Sequence, residues 1–305
     1  MLRWRELRDE SLARLRRAGI GEPEQELRWI VERVSGRATP EQGGALDEPA
    51  TEREVRFVDQ MVTRRVGGEP LQYVLGRWAF RTLDLYVDRR VLIPRPETEV
   101  VAGLAIDALA ERDRPSLVVD LGTGSGAIAL SVASEAWPRV EVWATDRSPD
   151  ALEVARANLA GLGRRAAAVR LADGDWFDAL PDDLHGHVDI VVSNPPYVAA
   201  ADALPPEVAD WEPREALVPG PTGLEAIEHI VAAAPVWLAS DGVLVLEIGE
   251  RQGRAAVSLA VAAGFANATI HPDLAGRDRA LVARRAESSS PQREPARVVD
   301  ATGRA

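Results

Sequence analysis

The four residues Asn194-Pro195-Pro196-Tyr197 bring chemical groups to the end of what should be a buried strand. The preceding run 189–193 (DIVVS) is typical of such a strand, but the two prolines cannot donate hydrogen bonds to a sheet. They make the segment rigid, so its carbonyl oxygens are preorganised beside the Asn194 carboxamide and the ring of Tyr197. The same residues also fit an ordinary turn, and this segment alone leaves both interpretations open.

A glycine-rich stretch after an earlier strand could hold a cofactor. In 120–127 (DLGTGSGA), Gly122 and Gly124 allow a sharp turn and a close approach of a ligand to the backbone. Asp146 ends the next predicted strand, where a carboxylate can accept both ribose hydroxyl hydrogens. The glycines alone also fit a structural turn, and an aspartate at a strand end often caps a helix. The pair favours a site for NAD or S-adenosylmethionine, and Asn-Pro-Pro-Tyr argues against dehydrogenation because it offers no acid or base for hydride chemistry.

The composition excludes or disfavours several other functions. The chain has no cysteine, which excludes thiol catalysis, disulfides and cysteine metal sites, and its four histidines show no ligand spacing, so we expect no metal. The net charge of −12 disfavours nucleic acid as a direct partner. No apolar run reaches the ~18 residues of a membrane span, and the N-terminus lacks an apolar signal region. We therefore expect a cytoplasmic protein that does not bind membranes.

Helical and strand patterns divide the chain into four parts. Residues 1–70 show apolar residues at helical spacing, and Thr51 with Glu54 forms a capping pattern, which together predict a small helical domain. Short alternating runs in 75–94 predict a β-hairpin linker, to which we assign residues 71–94. Residues 95–286 begin with a helix and then alternate strands with helices, and residues 287–305 are polar and predicted to be disordered. The seven predicted strands of this third part indicate an α/β fold with a mostly parallel sheet covered by helices on both faces.

Several motifs in this order resemble one family. They are EPLQYVLG, LIPRPETE, DLGTGSGAIAL, GDWF, NPPY, WEPREAL, EIGERQG and DLAGRDR. The sequence resembles class I S-adenosylmethionine-dependent methyltransferases, whose fold is Rossmann-like, and more closely the glutamine N5-methyltransferases of peptide chain release factors. Two departures are visible: PGPTGL (219–224) stands where the family usually has a glycine-rich GGxDGL, and Trp211 stands where tyrosine is commoner. Both lie in the loop that the resemblance places over the substrate.

The resemblance implies a role for each site residue. The loop from Gly122 to Gly126 would line the methionine and ribose of S-adenosylmethionine, Asp146 would hold the ribose, and Trp176 would lie by the adenine, although a buried indole is also an ordinary core residue. The cofactor-binding set is thus Gly122, Thr123, Gly124, Ser125, Gly126, Asp146, Trp176 and Asn194. The residues expected to bind the substrate are Asn194, Pro195, Pro196 and Tyr197. Of these, the Asn194 side-chain oxygen and the Pro195 carbonyl would each accept one N–H of the glutamine amide, and Tyr197 would pack on the amide plane.

The resemblance also implies the substrate, which is the glutamine of the Gly-Gly-Gln loop of release factors, with the helical domain docking that protein. Three alternatives stay open. The acceptor could be a glutamine of a ribosomal protein or adenine N6 of DNA, the latter disfavoured by the acidic chain without a DNA-reading module. The chain could also be an inactive cofactor-binding protein, against which the intact glycine loop, Asp146 and Asn194 argue. We expect a monomer.

Overall fold

The N-terminal part of the chain folds into helices, as the apolar spacing predicts. The computed structural model describes residues 2–286, so the predicted disordered tail 287–305 lies outside the described residues. Its first helices are α1 (Trp4–Arg17), α2 (Pro23–Ser35), the short α3 (Thr39–Gln42), which the sequence analysis missed, and α4 (Glu52–Val66). Thr51 caps α4 as predicted, since its hydroxyl accepts from the Glu54 N–H at 3.2 Å and the Glu54 carboxylate accepts from the Thr51 N–H at 2.7 Å. Leucine, isoleucine and valine side chains of these helices form a separate core.

The segment 71–94 is only partly a hairpin. Its first residues form the helix α5 (Leu71–Leu75), and the hairpin is limited to β1 (Trp78–Phe80) and β2 (Leu83–Leu85). The helix forms because Leu71 and Leu75, four residues apart, both bury their side chains in the helical core. By contrast, Phe80 and Leu85 bury theirs in the core of the sheet, so the hairpin joins the two parts of the protein.

A seven-stranded sheet carries the rest of the chain, as predicted. The strands run in the order β5-β4-β3-β6-β7-β9-β8, with β9 antiparallel to both of its neighbours and all other pairs parallel. The elements are α6 (Pro96–Ala110), β3 (Ser116–Leu121), α7 (Ala127–Glu135), β4 (Val140–Asp146), α8 (Pro149–Ala160), β5 (Val169–Asp173), β6 (Val188–Ser193), α9 (Pro206–Ala209), α10 (Glu225–Trp237), β7 (Leu238–Glu247), α11 (Gly253–Ala262), β8 (Asn267–Pro272) and β9 (Asp278–Arg284).

The central strands are buried on both faces, which explains why they are continuously apolar in sequence. Val118 of β3 packs into one core cluster together with α6 and α7, whereas its neighbour Val119 packs into another together with α10 and α11. The register pairs Leu121 of β3 with Thr145 of β4 and with Ser193 of β6. The loops that leave these strands therefore start at one edge of the sheet, where open α/β sheets bind their ligands.

No helix within residues 2–286 combines the length and the apolar character needed to cross a membrane.

Candidate functional site

A cavity of about 320 Å³ opens at the carboxyl edge of the sheet. It is large enough for a small-molecule ligand. Most of the predicted site residues line it, namely Gly122, Thr123, Gly124, Ser125, Asp146, Trp176, Asn194 and Pro196. Three predicted site residues are not part of this lining: Gly126, Pro195 and Tyr197. The topology thus brings the glycine loop and the Asn-Pro-Pro segment, which are far apart in sequence, to the same cavity.

The three glycines of the loop share a left-handed backbone but differ in what a side chain at each position would contact. All adopt the left-handed conformation, with φ of 69° at Gly122, 56° at Gly124 and 85° at Gly126. A Cβ on Gly122 would lie 3.4 Å from the Trp176 ring, at the cavity wall. A Cβ on Gly126 would instead lie 2.9 Å from Leu130, because Gly126 is the N-cap residue of α7 and packs against that helix. Gly126 is thus outside the cavity lining and shapes the turn into α7, and its contact with the cofactor stays a prediction.

The Asp146 carboxylate joins the glycine loop to the start of α8. One oxygen accepts from the Gly124 N–H at 2.8 Å, and the other accepts from the Ser148 N–H at 3.0 Å. Burial raises the pKa of Asp146, while these backbone hydrogen bonds oppose that shift. Each oxygen keeps a second lone pair, and the residue lines the cavity, so the carboxylate can accept hydroxyl hydrogens from a ligand there.

Trp176 serves both the core and the cavity. Its ring packs against the apolar cluster under α10 and α11, as an ordinary core aromatic would, and it also lines the cavity beside Gly122. The backbone of Trp176 is left-handed, with φ of 48°, which a bulky residue seldom adopts. Such a conformation is kept only when surrounding contacts favour it, and here it sets the position of the ring at the cavity wall.

A buried carboxylate that the sequence analysis did not consider lies beneath the glycine loop. Asp120 is 1% exposed, and its Oδ2 accepts from the Thr123 hydroxyl at 2.7 Å and from the Ala129 N–H at 3.1 Å. Its Oδ1 has no hydrogen-bond partner within the described part of the chain. Burial raises the pKa of Asp120 to about 7, against the opposing effect of these two hydrogen bonds.

This raised pKa makes stability depend on pH. Below about pH 4 Asp120 is protonated in both states, and above about pH 7 it is ionised in both, so its stabilising contribution is lost as the pH rises between these values. The free energy of unfolding of wild type should fall by a few kcal/mol over this range, at about 1.4 kcal/mol per pKa unit. We expect Asp120→Asn, unfolded with urea, not to show this decrease. The control is Asp107→Asn on the exposed surface of α6. A pH dependence of Asp120→Asn equal to that of wild type would contradict the assignment.

Two side chains of the Asn-Pro-Pro-Tyr segment are held by the same buried glutamate. The Asn194 Nδ2 donates to the Thr98 hydroxyl at 3.1 Å, and this hydroxyl donates to Glu247 Oε2 at 2.7 Å. The Tyr197 hydroxyl donates to the other oxygen of Glu247 at 3.0 Å. Burial and the nearby Glu247 raise the pKa of Tyr197, so this phenol keeps its proton. Sequence reasoning left Glu247 and Thr98 out of the site, and only their positions at the end of a strand and in the first turn of a helix could have indicated them.

The segment PGPTGL, which differs from the family pattern, packs directly on the Asn-Pro-Pro-Tyr segment. A Cβ on Gly223, where φ is 78°, would lie 2.6 Å from the Tyr197 carbonyl oxygen, so only glycine fits there. The Gln252 side-chain amide donates to the carbonyls of both Tyr197 and Gly223, at 3.0 and 3.1 Å. The loop also forms an isolated parallel bridge between Ala199 and Gly220. The segment PGPTGL therefore keeps Gly223, the glycine that this contact requires.

A second buried glutamate fixes the loop 198–221 to the start of α6. Glu212 is 6% exposed, accepts from the Ile93 N–H at 3.0 Å and forms an ion pair with Arg95. Arg95, the residue that precedes α6, thus has a structural partner. The adjacent Trp211 lies under the Arg89 guanidinium, with 5.7 Å between its carbon and the ring centroid. Sequence reasoning quoted the motif WEPREAL, which contains Glu212, but gave this glutamate no role.

Within residues 2–286, no group of three or more histidine, cysteine, aspartate or glutamate side chains is arranged to hold a metal ion.

Comparisons with known proteins give consistent results for both parts of the chain. The family model of the PrmC N-terminal domain matches residues 6–76, and that of the methyltransferase small domain matches residues 101–209. The release factor glutamine methyltransferase of Cereibacter sphaeroides is 40% identical over 276 residues, which cover 90% of this chain and 95% of the relative. That of Moorella thermoacetica is 41% identical over 284 residues, covering 91% and 97%.

Among crystal structures, a release-factor-specific protein-(glutamine-N5) methyltransferase from Alicyclobacillus acidocaldarius is similar to the chain. It is 30% identical, with 64% of this chain and 94% of the other chain aligned, and its TM-score is 0.39.

Proposed function

Because this chain belongs to the release factor glutamine methyltransferase family, we propose that it methylates the N5 amide nitrogen of the glutamine in the Gly-Gly-Gln motif of release factors. We propose S-adenosylmethionine as the methyl donor. The observation that carries the proposal is the position of Asn194 at the cavity shared with the glycine loop and Asp146. The Asn194 carboxamide can accept from an amide there, beside residues that fit a nucleoside.

The residues of the cavity fit the donor. The left-handed backbone at Gly122 and Gly124 lets a ligand approach the main chain without a Cβ in the way. Asp146 can accept from ribose hydroxyls, and the Trp176 ring offers a flat wall for the adenine. When bound, S-adenosylmethionine supplies an electrophilic methyl group on a sulfonium, which leaves a neutral thioether after transfer.

The acceptor side must hold an amide nitrogen, which is a poor nucleophile because its lone pair is delocalised into the carbonyl. Asn194 Oδ1 and the Pro195 carbonyl each accept one N–H of the glutamine amide, which turns the lone pair toward the methyl carbon. They also stabilise the positive charge that develops on nitrogen as the N–C bond forms and the C–S bond breaks. The nitrogen proton becomes acidic and leaves to water. Contact of the Tyr197 ring with the amide plane stays a prediction.

We propose that the helical part of the chain, residues 1–70, docks the release factor. Arg65 of α4 donates to Glu26 at 2.7 Å and to Glu207 at 2.9 Å, so it ties two helices of this part to the loop 198–221 near the cavity. A protein bound on the helices would thus lie within reach of the loop beside the catalytic residues. We place the reaction in the cytoplasm, where translation occurs, and expect the enzyme to act as a monomer.

One assay tests the acceptor. Purified protein is incubated with S-adenosylmethionine labelled in its methyl group and, in separate reactions, with release factor, ribosomal proteins and DNA. We expect label on the release factor, and its loss when the glutamine of the Gly-Gly-Gln motif is replaced by glutamate. Label confined to ribosomal protein or DNA would support those alternative acceptors. A protein that binds S-adenosylmethionine without labelling any acceptor would instead fit the inactive binding protein.

A further inference from the structure

We propose that Thr98 and Glu247 are positioning residues that fix the orientation of the Asn194 carboxamide so that its oxygen faces the methyl-transfer site. This inference rests on the proposed function, because it explains how the acceptor oxygen for the substrate amide comes to face the cavity. It concerns three side chains from α6, β7 and the end of β6, connected in series by hydrogen bonds.

The series starts at the glutamate. Glu247 is 1% exposed, and both of its oxygens accept, one from the Tyr197 hydroxyl and one from the Thr98 hydroxyl. Burial raises the pKa of Glu247 above its ordinary value, against the opposing effect of the hydrogen bonds from Thr98 and Tyr197 and of the charge of Arg279. In its ionised form the group has no proton to donate, so both hydroxyls must point their hydrogens toward it.

The hydrogen bond from Thr98 to Glu247 in turn determines how the Asn194 carboxamide is oriented. A hydroxyl has a single proton, and that of Thr98 is used in the 2.7 Å hydrogen bond to Glu247. The group on its other side must therefore be a donor. Of the two ends of the Asn194 carboxamide, only the amino end can donate, and it does so at 3.1 Å. Rotating the carboxamide by half a turn would place two acceptors against each other.

The consequence for the reaction follows from the geometry of a carboxamide. With Nδ2 held by Thr98, Oδ1 lies on the other side of the group, and Asn194 lines the cavity. An acceptor is what the N–H of a substrate amide requires, whereas a rotated carboxamide would present its own donors and repel it. An unmade hydrogen bond of this kind is enough for a preference of about fivefold to 150-fold.

The test uses Thr98→Val, which keeps the shape of the side chain without its hydroxyl, and Thr98→Ser, which keeps the hydroxyl. Two nucleoside analogues are the probes, measured by calorimetry. Sinefungin carries an amine where the methyl group would be, and S-adenosylhomocysteine carries nothing there. We expect wild type and Thr98→Ser to prefer sinefungin, and Thr98→Val to lose about tenfold of that preference with unchanged affinity for S-adenosylhomocysteine. We also expect kcat with the release factor to fall at least tenfold in Thr98→Val alone.

A second variant covers the case in which Thr98→Val does not fold. Glu247→Gln keeps the size of the side chain but can donate to Thr98, which frees the Thr98 proton for the wrong end of Asn194. We expect it to lose part of the preference for sinefungin. Unchanged preference in these variants, or equal binding of both analogues by wild type, would overturn the inference. A wild-type protein with the preference but without activity on release factor would count against the proposed acceptor alone.

Discussion

Replacing Asn194 with alanine is expected to lower kcat for release factor methylation by about 10²- to 10³-fold, the range found when one preorganised hydrogen-bonding group of a transition state is removed. The variant loses the side-chain acceptor for the substrate amide, so the nitrogen lone pair is no longer held toward the methyl carbon and the developing positive charge loses its partner. Single-turnover rates with saturating S-adenosylmethionine measure the effect. The affinity for S-adenosylhomocysteine should change little, because the glycine loop and Asp146 remain.

The matched control is Asn267→Ala, which removes the same group from the exposed edge strand β8. Its rate should equal that of wild type. If Asn194→Ala turned over at nearly the wild-type rate, the acceptor role of this residue would be wrong. A loss of affinity for S-adenosylhomocysteine as large as the loss of rate would instead show that Asn194 serves mainly to bind the donor.

Replacing Asp146 with alanine is expected to raise the dissociation constant for S-adenosylmethionine by about a hundredfold, since each hydrogen bond to a charged group contributes about 1.5–3 kcal/mol. Two effects combine. The ribose hydroxyls lose their acceptor, and the N–H groups of Gly124 and Ser148 lose the carboxylate that holds the glycine loop against α8. Calorimetric titration measures the dissociation constant directly, and saturating donor should restore most of the turnover.

The control for this variant is Asp150→Ala, an exposed aspartate in the first turn of the same helix. It should bind S-adenosylmethionine as wild type does. If Asp146→Ala bound the donor with wild-type affinity, the assignment of Asp146 to the ribose would fail. If turnover stayed low at saturating donor, Asp146 would also be needed to place the methyl group.

The sequence alone determined the pattern of the fold. Strands buried on both faces must be continuously apolar, so the βα alternation, the seven strands and the edge where their loops meet followed from local composition. The glycine loop and the Asn-Pro-Pro-Tyr segment could be identified for a similar reason, because backbone turns and rigid carbonyls depend on residues adjacent in the chain. The exception is α5, which lies within the range 71–94 assigned to a hairpin linker, although burial of Leu71 and Leu75 favours a helix.

Only the tertiary structure decided which side chains of the site contact each other. Thr98 and Glu247 are 149 positions apart, Thr98 and Asn194 are 96 apart, and Arg95 and Glu212 are 117 apart. A polar side chain in the sequence does not reveal its partner, because the direction of a hydrogen bond depends on which group lies opposite after folding. For the same reason Gly126 could not be distinguished from Gly122 until the Leu130 side chain was seen behind it. The sequence identifies the groups that can react, and tertiary packing determines their orientation.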